Sequence, residues 1–370
     1  MTALGLGTIS GTILFIVCAM QFALQVTASR AQADTFPVLC SPTPIPTPMP
    51  FVGPTPDPTL CTPTRTPYPS PVEEIPIGFQ NPNGAKLAWL PFPTGGPAKP
   101  AVMLIHGGGW YGGDAFDLVG VGNDISAAGY FVVSVFYELA PEGYIPGQPC
   151  HFLDGTAPSW RMAQQVNDIK ALVRALRADP RCNGKVGVVG GSSGATHAVT
   201  VALDKTSAFK DLWPRWCFDG VDDRPDCAAM LSAIYDFSDW TPPTGEPVTD
   251  RRFVRFGMEN YAQTRDLGTL ATLPLNPVVL VSEAGQLGWG FKPLFLINSQ
   301  YDNPTAFHQI VTMSCALEDQ GLVLDTDYKR LTIPNDLHSF SYWGAWDHES
   351  DHPKKTVGED VIAFLDAHLK

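Results

Sequence analysis

The sequence predicts an α/β fold with a mostly parallel central sheet and helices on both faces. Three observations predict it. Short apolar runs, several rich in β-branched residues, alternate with amphipathic stretches from residue 75 onward. Most of the runs are largely apolar, as strands covered on both faces must be. Glycine, serine, aspartate and histidine stand just past the ends of four of them, where such sheets hold ligands.

The first 74 residues lie outside this pattern. Residues 2–29 carry no charged side chain and are apolar around "TILFIVCAMQFAL". Ala31-Gln32-Ala33 follows as a small-residue cleavage signature, so residues 1–33 read as a signal peptide, or as a membrane anchor if uncleaved. Either places the remainder outside the cytoplasm. Residues 34–74 form a Pro/Thr-rich linker, because proline donates no backbone hydrogen bond and builds neither helix nor central strand. The catalytic domain is expected over residues 75–370.

Within it, "AKLAWLPFP" near Ala85 suggests an edge hairpin. Strands are expected at 101–106 ("AVMLIH"), 131–136 ("FVVSVF"), 186–190 ("VGVVG"), 228–235 ("AAMLSAIY"), 293–298 ("PLFLIN") and 328–333 ("YKRLTI"). Met162, Val166, Ile169, Val173 and Leu176 recur at three- and four-residue spacing, which marks one face of a helix over 160–178. Residues 306–320 and 356–369 also read as helices. The stretch 240–288 is a long insertion between two strands. Its Trp240, Phe253, Phe256 and Tyr261 either line an acyl or alcohol pocket or pack beneath a loop.

The strand ends carry the chemistry. His106-Gly107-Gly108-Gly109-Trp110 follows the first long run, and Gly190-Gly191-Ser192-Ser193-Gly194 closes the third. Asp302 follows "PLFLINSQY" and His338 follows "YKRLTIPNDL". Serine, aspartate and histidine in this order are what acyl transfer needs. A hydroxyl is a weak nucleophile without a base. Imidazole takes and returns the proton. A carboxylate fixes the imidazole tautomer, and backbone N–H groups meet the oxyanion. The glycine cluster leaves two frames open, one centred on Ser192 and the other on Ser193.

With the paired motifs "HGGGW" and "GGSSG", the chain resembles the α/β-hydrolase superfamily, in its HGGG-type esterase and lipase branch. It is most similar there to secreted carboxylesterases of the feruloyl and acetyl-xylan esterase kind. The resemblance implies a nucleophile elbow entered at the first glycine, hence the frame Gly190-x-Ser192-x-Gly194. It implies Ser192 as nucleophile, His338 as base and Asp302 as acid, with main-chain donors at Gly107, Gly108 and Ser193. His106 then shapes its loop, and Trp110 and Trp240 stand near substrate. Two departures appear. Glu138 in "FYELAPE" replaces the arginine of Y-R-L-A-P-E, and Ser339 replaces the glycine of H-G-F.

Several other residues compete for these roles. Asp236 also follows a strand and reads as a turn residue or a wall of the site. His197 reads as a packed core histidine, and His151 and His308 lack supporting context. "HESDH" at 348–352 matches a zinc-protease pattern, but that pattern needs a helix, and Pro353 disfavours the α conformation at His352. No cofactor and no metal are therefore expected. A formal charge of −13 argues against nucleic acid; the resemblance implies a small-molecule or polysaccharide-linked ester as partner, and a membrane only if the leader is retained. A peptidase of the same fold and a non-catalytic recognition domain on a stalk are the alternatives. Of eight cysteines, Cys18 leaves with the leader. Cys217–Cys227 is the preferred disulfide, with Cys40–Cys61 and Cys150–Cys182 behind it and Cys315 as a buried free thiol.

Overall fold

The computed structural model describes residues 72–75, 87–140, 160–205, 220–239, 252–264, 266–346 and 355–370. The leader, nearly all of the linker, Cys40, Cys61, Cys150, His151, Cys217, Trp240 and the HESDH stretch lie outside them. The strands are β1 (Glu73–Glu74), β2 (Ala88–Pro91), β3 (Lys99–Ile105), β4 (Phe131–Phe136), β5 (Cys182–Gly191), β6 (Cys227–Leu231), β7 (Leu294–Ser299) and β8 (Tyr328–Ile333). They form one sheet in the order β1-β2-β4-β3-β5-β6-β7-β8. The β1–β2 and β2–β4 pairings are antiparallel, and all others are parallel. The expected edge hairpin is thus the antiparallel margin of an otherwise parallel sheet.

Alternation along the strands builds two cores. Ala101, Met103 and Ile105 of β3 join one buried cluster, and Val102 and Leu104 join the other. Phe131, Val133 and Val135 of β4 face the first, and Val132 the second. Helices cover both. Onto the second cluster fold α1 (Val119–Ala127), through Val121 and Ile125, and the C-terminal helix at 357–369, through Val361, Phe364 and Leu365. The first lies under α2 (Trp160–Ala178), α3 (Ser193–Leu203) and the helices between β6 and β8. The face expected for α2 is the buried one: Met162, Val166, Ile169, Val173 and Leu176 all belong to the first cluster.

The insertion is helical where described, with α4 (Arg252–Ala262), α5 (Leu267–Ala271) and α6 (Pro277–Gln286). Asp266 caps α5 by accepting the Thr269 N–H at 2.7 Å, and Pro277 opens α6, where a missing N–H costs nothing. The helices α7 (His308–Asp319) and α8 (Val357–Leu369) complete the cover. No described helix is long and apolar enough to cross a membrane.

Three expectations change. The sixth strand stops at Leu231, four residues short of the expected Tyr235, and Ser232 turns the chain with φ +60°. Cys182 and Cys227 are free buried thiols, so neither Cys150–Cys182 nor Cys217–Cys227 forms. Cys227 lies in β6 against Gly187 of β5, enclosed in the sheet, and burial pushes its thiol pKa up. Cys315, expected free, is disulfide-bonded.

Candidate active site

All four chemistry-bearing segments arrive at the carboxyl rim of the sheet because they continue the parallel strands β3, β5, β7 and β8. β5 runs directly into α3 through a one-residue elbow at Ser192, with φ 55° and ψ −124°. This left-handed backbone is rare for a residue bearing a Cβ. The Ser192 N–H donates to the Leu231 carbonyl at 2.8 Å, which fixes the turn against the end of β6. The frame follows from packing as well. A Cβ on Gly190 would stand 2.1 Å from the Gly194 carbonyl oxygen, and one on Gly194 would stand 2.2 Å from that of Ile105. The residue with the elbow backbone is Ser192, flanked two residues away on each side by glycines that admit no Cβ.

Asp302, beyond β7, is buried. Its Oδ1 accepts the Thr305 N–H at 2.8 Å and its Oδ2 accepts the Ser232 hydroxyl at 2.6 Å. His338, beyond β8, places Nδ1 2.9 Å from both carboxylate oxygens. A nitrogen facing a carboxylate carries the proton, which leaves Nε2 with its lone pair. The imidazole is 24 % exposed while Asp302 is sealed, so solvent reaches the ring from the side away from the carboxylate. The His338 segment rests on the elbow. The Ser339 hydroxyl and the Phe340 ring stand 2.1 and 2.6 Å from where a Cβ on Gly191 would lie.

The glycine loop reaches the same point. A Cβ on Gly107 would lie 2.9 Å from the Ser192 Cβ, so the loop after β3 touches the elbow. Gly108 has φ +122° and packs on Gly112, in a conformation closed to side chains. Ser193 opens α3, so its N–H is one of the helix donors without an intrahelical acceptor. His106 braces this loop, as expected. It is buried, its Nδ1 stands 2.8 Å from the Gly107 carbonyl, and its ring stacks on Tyr137 with centroids 4.6 Å apart. Burial lowers its pKa.

The other histidines and Asp236 fall to structural places. His197 is fully buried, bonded through Nε2 to Gln165 Oε1 at 2.9 Å, and burial pushes its pKa down to about 3. His308 pairs with Asp239 at 3.1 Å in the interior. Asp236 closes a turn by accepting the Ser238 N–H and hydroxyl.

Trp110 is corrected. Expected near substrate, it is 1 % exposed and stacks on Tyr261 at 5.0 Å with an interplanar angle of 13°. Its carbonyl accepts from Gln165 Nε2 and the Ala140 N–H. The tryptophan anchors the base of the glycine loop in the core, and Tyr261 belongs to that packing and not to a pocket wall. Trp240 lies outside the described residues. Ser232 and Tyr342 carry no signal in the sequence. Both are buried, and they bond to each other at 3.0 Å beside Asp302. Among the described residues no group of three histidine, cysteine, aspartate or glutamate side chains is arranged to hold a metal ion.

A doubly covered parallel sheet with a strained serine at a strand–helix elbow and an Asp–His pair at the neighbouring strand ends defines the α/β-hydrolase class of architecture. Residues 102–303 match the family model described as alpha/beta hydrolase fold, more than half of the chain, and the chain belongs to that family. No curated protein matches the chain by sequence. Solved structures match it in fold. An acetyl ester-xyloside bifunctional hydrolase from Caldicellulosiruptor lactoaceticus superposes with a TM-score of 0.54 at 15 % identity, covering 78 % of this chain and 89 % of that one. Esterase 2 of Thermogutta terrifontis, phosphonylated by sarin, gives 0.56 at 16 %, covering 81 % and 96 %. The butyrate-bound form of the Thermogutta terrifontis esterase gives 0.52 at 16 %, covering 77 % and 91 %.

Proposed function

We propose that this chain is an exported serine hydrolase of carboxylic esters, acting through Ser192, His338 and Asp302 by way of an acyl-enzyme. The observation that carries the reading is the hydrogen bond of His338 Nδ1 to the buried Asp302 carboxylate, on a segment that rests against the Ser192 elbow. Ser192 Oγ attacks the ester carbonyl carbon while His338 Nε2 takes its proton. Asp302 holds the ring and stabilises the imidazolium. The N–H groups of Ser193, Gly107 and Gly108 receive the oxyanion. As the intermediate collapses, the imidazolium returns the proton to the leaving alkoxide. Water then repeats the cycle on the acyl-enzyme, with His338 as base, and releases the acid and free Ser192.

Export rests on residues 1–33, read as a signal peptide, and would be tested by the N-terminus of the mature protein. The fold neighbours, described as an acetyl ester-xyloside hydrolase and a butyrate-bound esterase, make short acyl esters and sugar-linked acetates the first substrates to assay. Feruloyl esters follow from the resemblance in sequence. A panel of esters from acetyl to dodecanoyl, methyl ferulate and acetylated xylan should show turnover by the wild type. Ser192→Ala should lower kcat by about four orders of magnitude or more. Full turnover by that variant would refute the assignment.

A further inference from the structure

Ser232 follows the last residue of β6, is wholly buried, and has φ +60°. A residue with a Cβ keeps this backbone where the surroundings enforce it, and such strain gathers at functional sites. Its hydroxyl lies among three groups. The single proton goes to Asp302 Oδ2 at 2.6 Å, so Oγ acts as acceptor for the Ser339 N–H at 3.0 Å. The Tyr342 hydroxyl stands 3.0 Å from Ser232 Oγ and 3.2 Å from the Ile297 carbonyl, and its proton is shared between them. The backbone of Ser232 is tied as firmly. Its N–H donates to the Ile297 carbonyl at 2.9 Å, and its carbonyl accepts the Thr305 hydroxyl at 3.2 Å. Thr305 in turn donates its N–H to Asp302 Oδ1. One side chain thus joins the end of β6, the acid-bearing turn after β7 and the histidine-bearing turn after β8.

We propose that Ser232 is a positioning residue, which fixes the Asp302 carboxylate and the His338 segment relative to each other so that Nε2 is aimed at Ser192. The proposal rests on the serine-hydrolase reading above. A left-handed conformation at 232 is the geometry that lets Oγ reach Asp302 and the Ser339 N–H at once, and this explains a strain that glycine would have avoided.

The test compares Ser232→Ala with Ser232→Gly, and both with Ser192→Ala, on a short-chain p-nitrophenyl ester. The two Ser232 variants lose the same hydroxyl, but alanine keeps the strained backbone and glycine relieves it, so the glycine variant should have the higher Tm. For both, kcat should fall by about tenfold or more, with KM changing by less than about twofold. Wild-type kcat in either variant would overturn the proposal. So would a kcat that follows Tm, retained in glycine and lost in alanine, or a loss confined to KM. Ser192→Ala separates the two levels. If it abolishes turnover while the Ser232 variants do not lower kcat, the positioning role alone fails. If turnover survives it, the reading underneath fails as well.

Discussion

Ser339 has φ +57° where the resembled family carries glycine. The left-handed region costs a residue with a Cβ roughly 1–2 kcal/mol, and glycine pays much less of it. Ser339→Gly should therefore stabilise the protein by about 1 kcal/mol, which corresponds to a rise of about 1–2 °C in Tm for a domain of this size. A melting curve with Tm at or below that of the wild type would mean that the serine side chain contributes enough packing against Gly191 to offset the strain. The departure was visible in the sequence, but its cost was not, since the backbone angle belongs to the fold. The same limit explains two other residues. Ser232 sits in an apolar run that continues to Tyr235, and composition gives no sign that the strand ends before it. Trp110 adjoins the glycine loop in sequence, yet its own φ of 68° turns the ring into the core. Ser192, Asp302 and His338 were legible as candidates because each follows a strand-like run, strongly apolar before Ser192 and Asp302 and weaker before His338, where Lys329 and Arg330 interrupt it.

At the scale of elements, the clearest expectations were those with uninterrupted patterns. β4 and α2 occupy the residues their hydrophobic pattern marks, and β8 keeps its expected bounds although Lys329 and Arg330 interrupt its pattern. α1 escaped notice because "VGVGNDISA" carries two glycines and only a narrow apolar face. In the insertion, α4 does carry a helical period, with Val254, Met258, Tyr261 and Ala262 on its packed face, whereas α5 is too short to show one. The Cys150–Cys182 and Cys217–Cys227 pairings failed for a related reason: closeness along the chain says nothing of burial, and Cys227 is enclosed in the sheet as a free thiol. Capping is more local and reads more directly. Thr356 and Glu359 form a reciprocal cap on α8, with the Glu359 N–H on Thr356 Oγ1 at 3.2 Å and the Thr356 N–H on Glu359 Oε2 at 2.7 Å. This helix lays Leu365 and Leu369 on Gly187 of β5, the strand that ends in the elbow. Thr356→Ala should lower stability by about 1 kcal/mol in urea unfolding with the m-value unchanged. An unaltered midpoint would show that packing alone holds the helix end.

Across the whole molecule, two buried titratable groups on the α2–α3 face oppose each other in their dependence on pH. The folded protein holds His197 neutral, its pKa pushed from 6.5 down to about 3 by burial. The unfolded chain therefore binds the extra proton first on acidification. This contribution to stability is full above pH 6.5 and is lost as pH falls toward 3. Asp168 behaves in the reverse sense. Burial, and then the Glu138 charge, raise its pKa well above 3.8, while the hydrogen bond from the Glu138 N–H at 3.1 Å only partly opposes them. Position 138 is where the resembled family places an arginine. Glu138 instead accepts from Gln164 Nε2 at 2.6 Å and leaves Asp168 facing a second carboxylate. The unfolded chain releases the Asp168 proton first. The stability gained from this group is thus complete below 3.8 and shrinks as pH rises toward its folded value, by about 1.4 kcal/mol per pH unit across that window. Asp168→Asn keeps an oxygen to accept the Glu138 N–H and removes the titration. Its Tm should match that of the wild type near about pH 4 and exceed it increasingly as pH is raised, until the native Asp168 itself ionises. A difference in Tm that stays constant from acid to neutral pH would show that Asp168 is ionised in the folded protein and that the replacement of arginine by Glu138 has been compensated elsewhere.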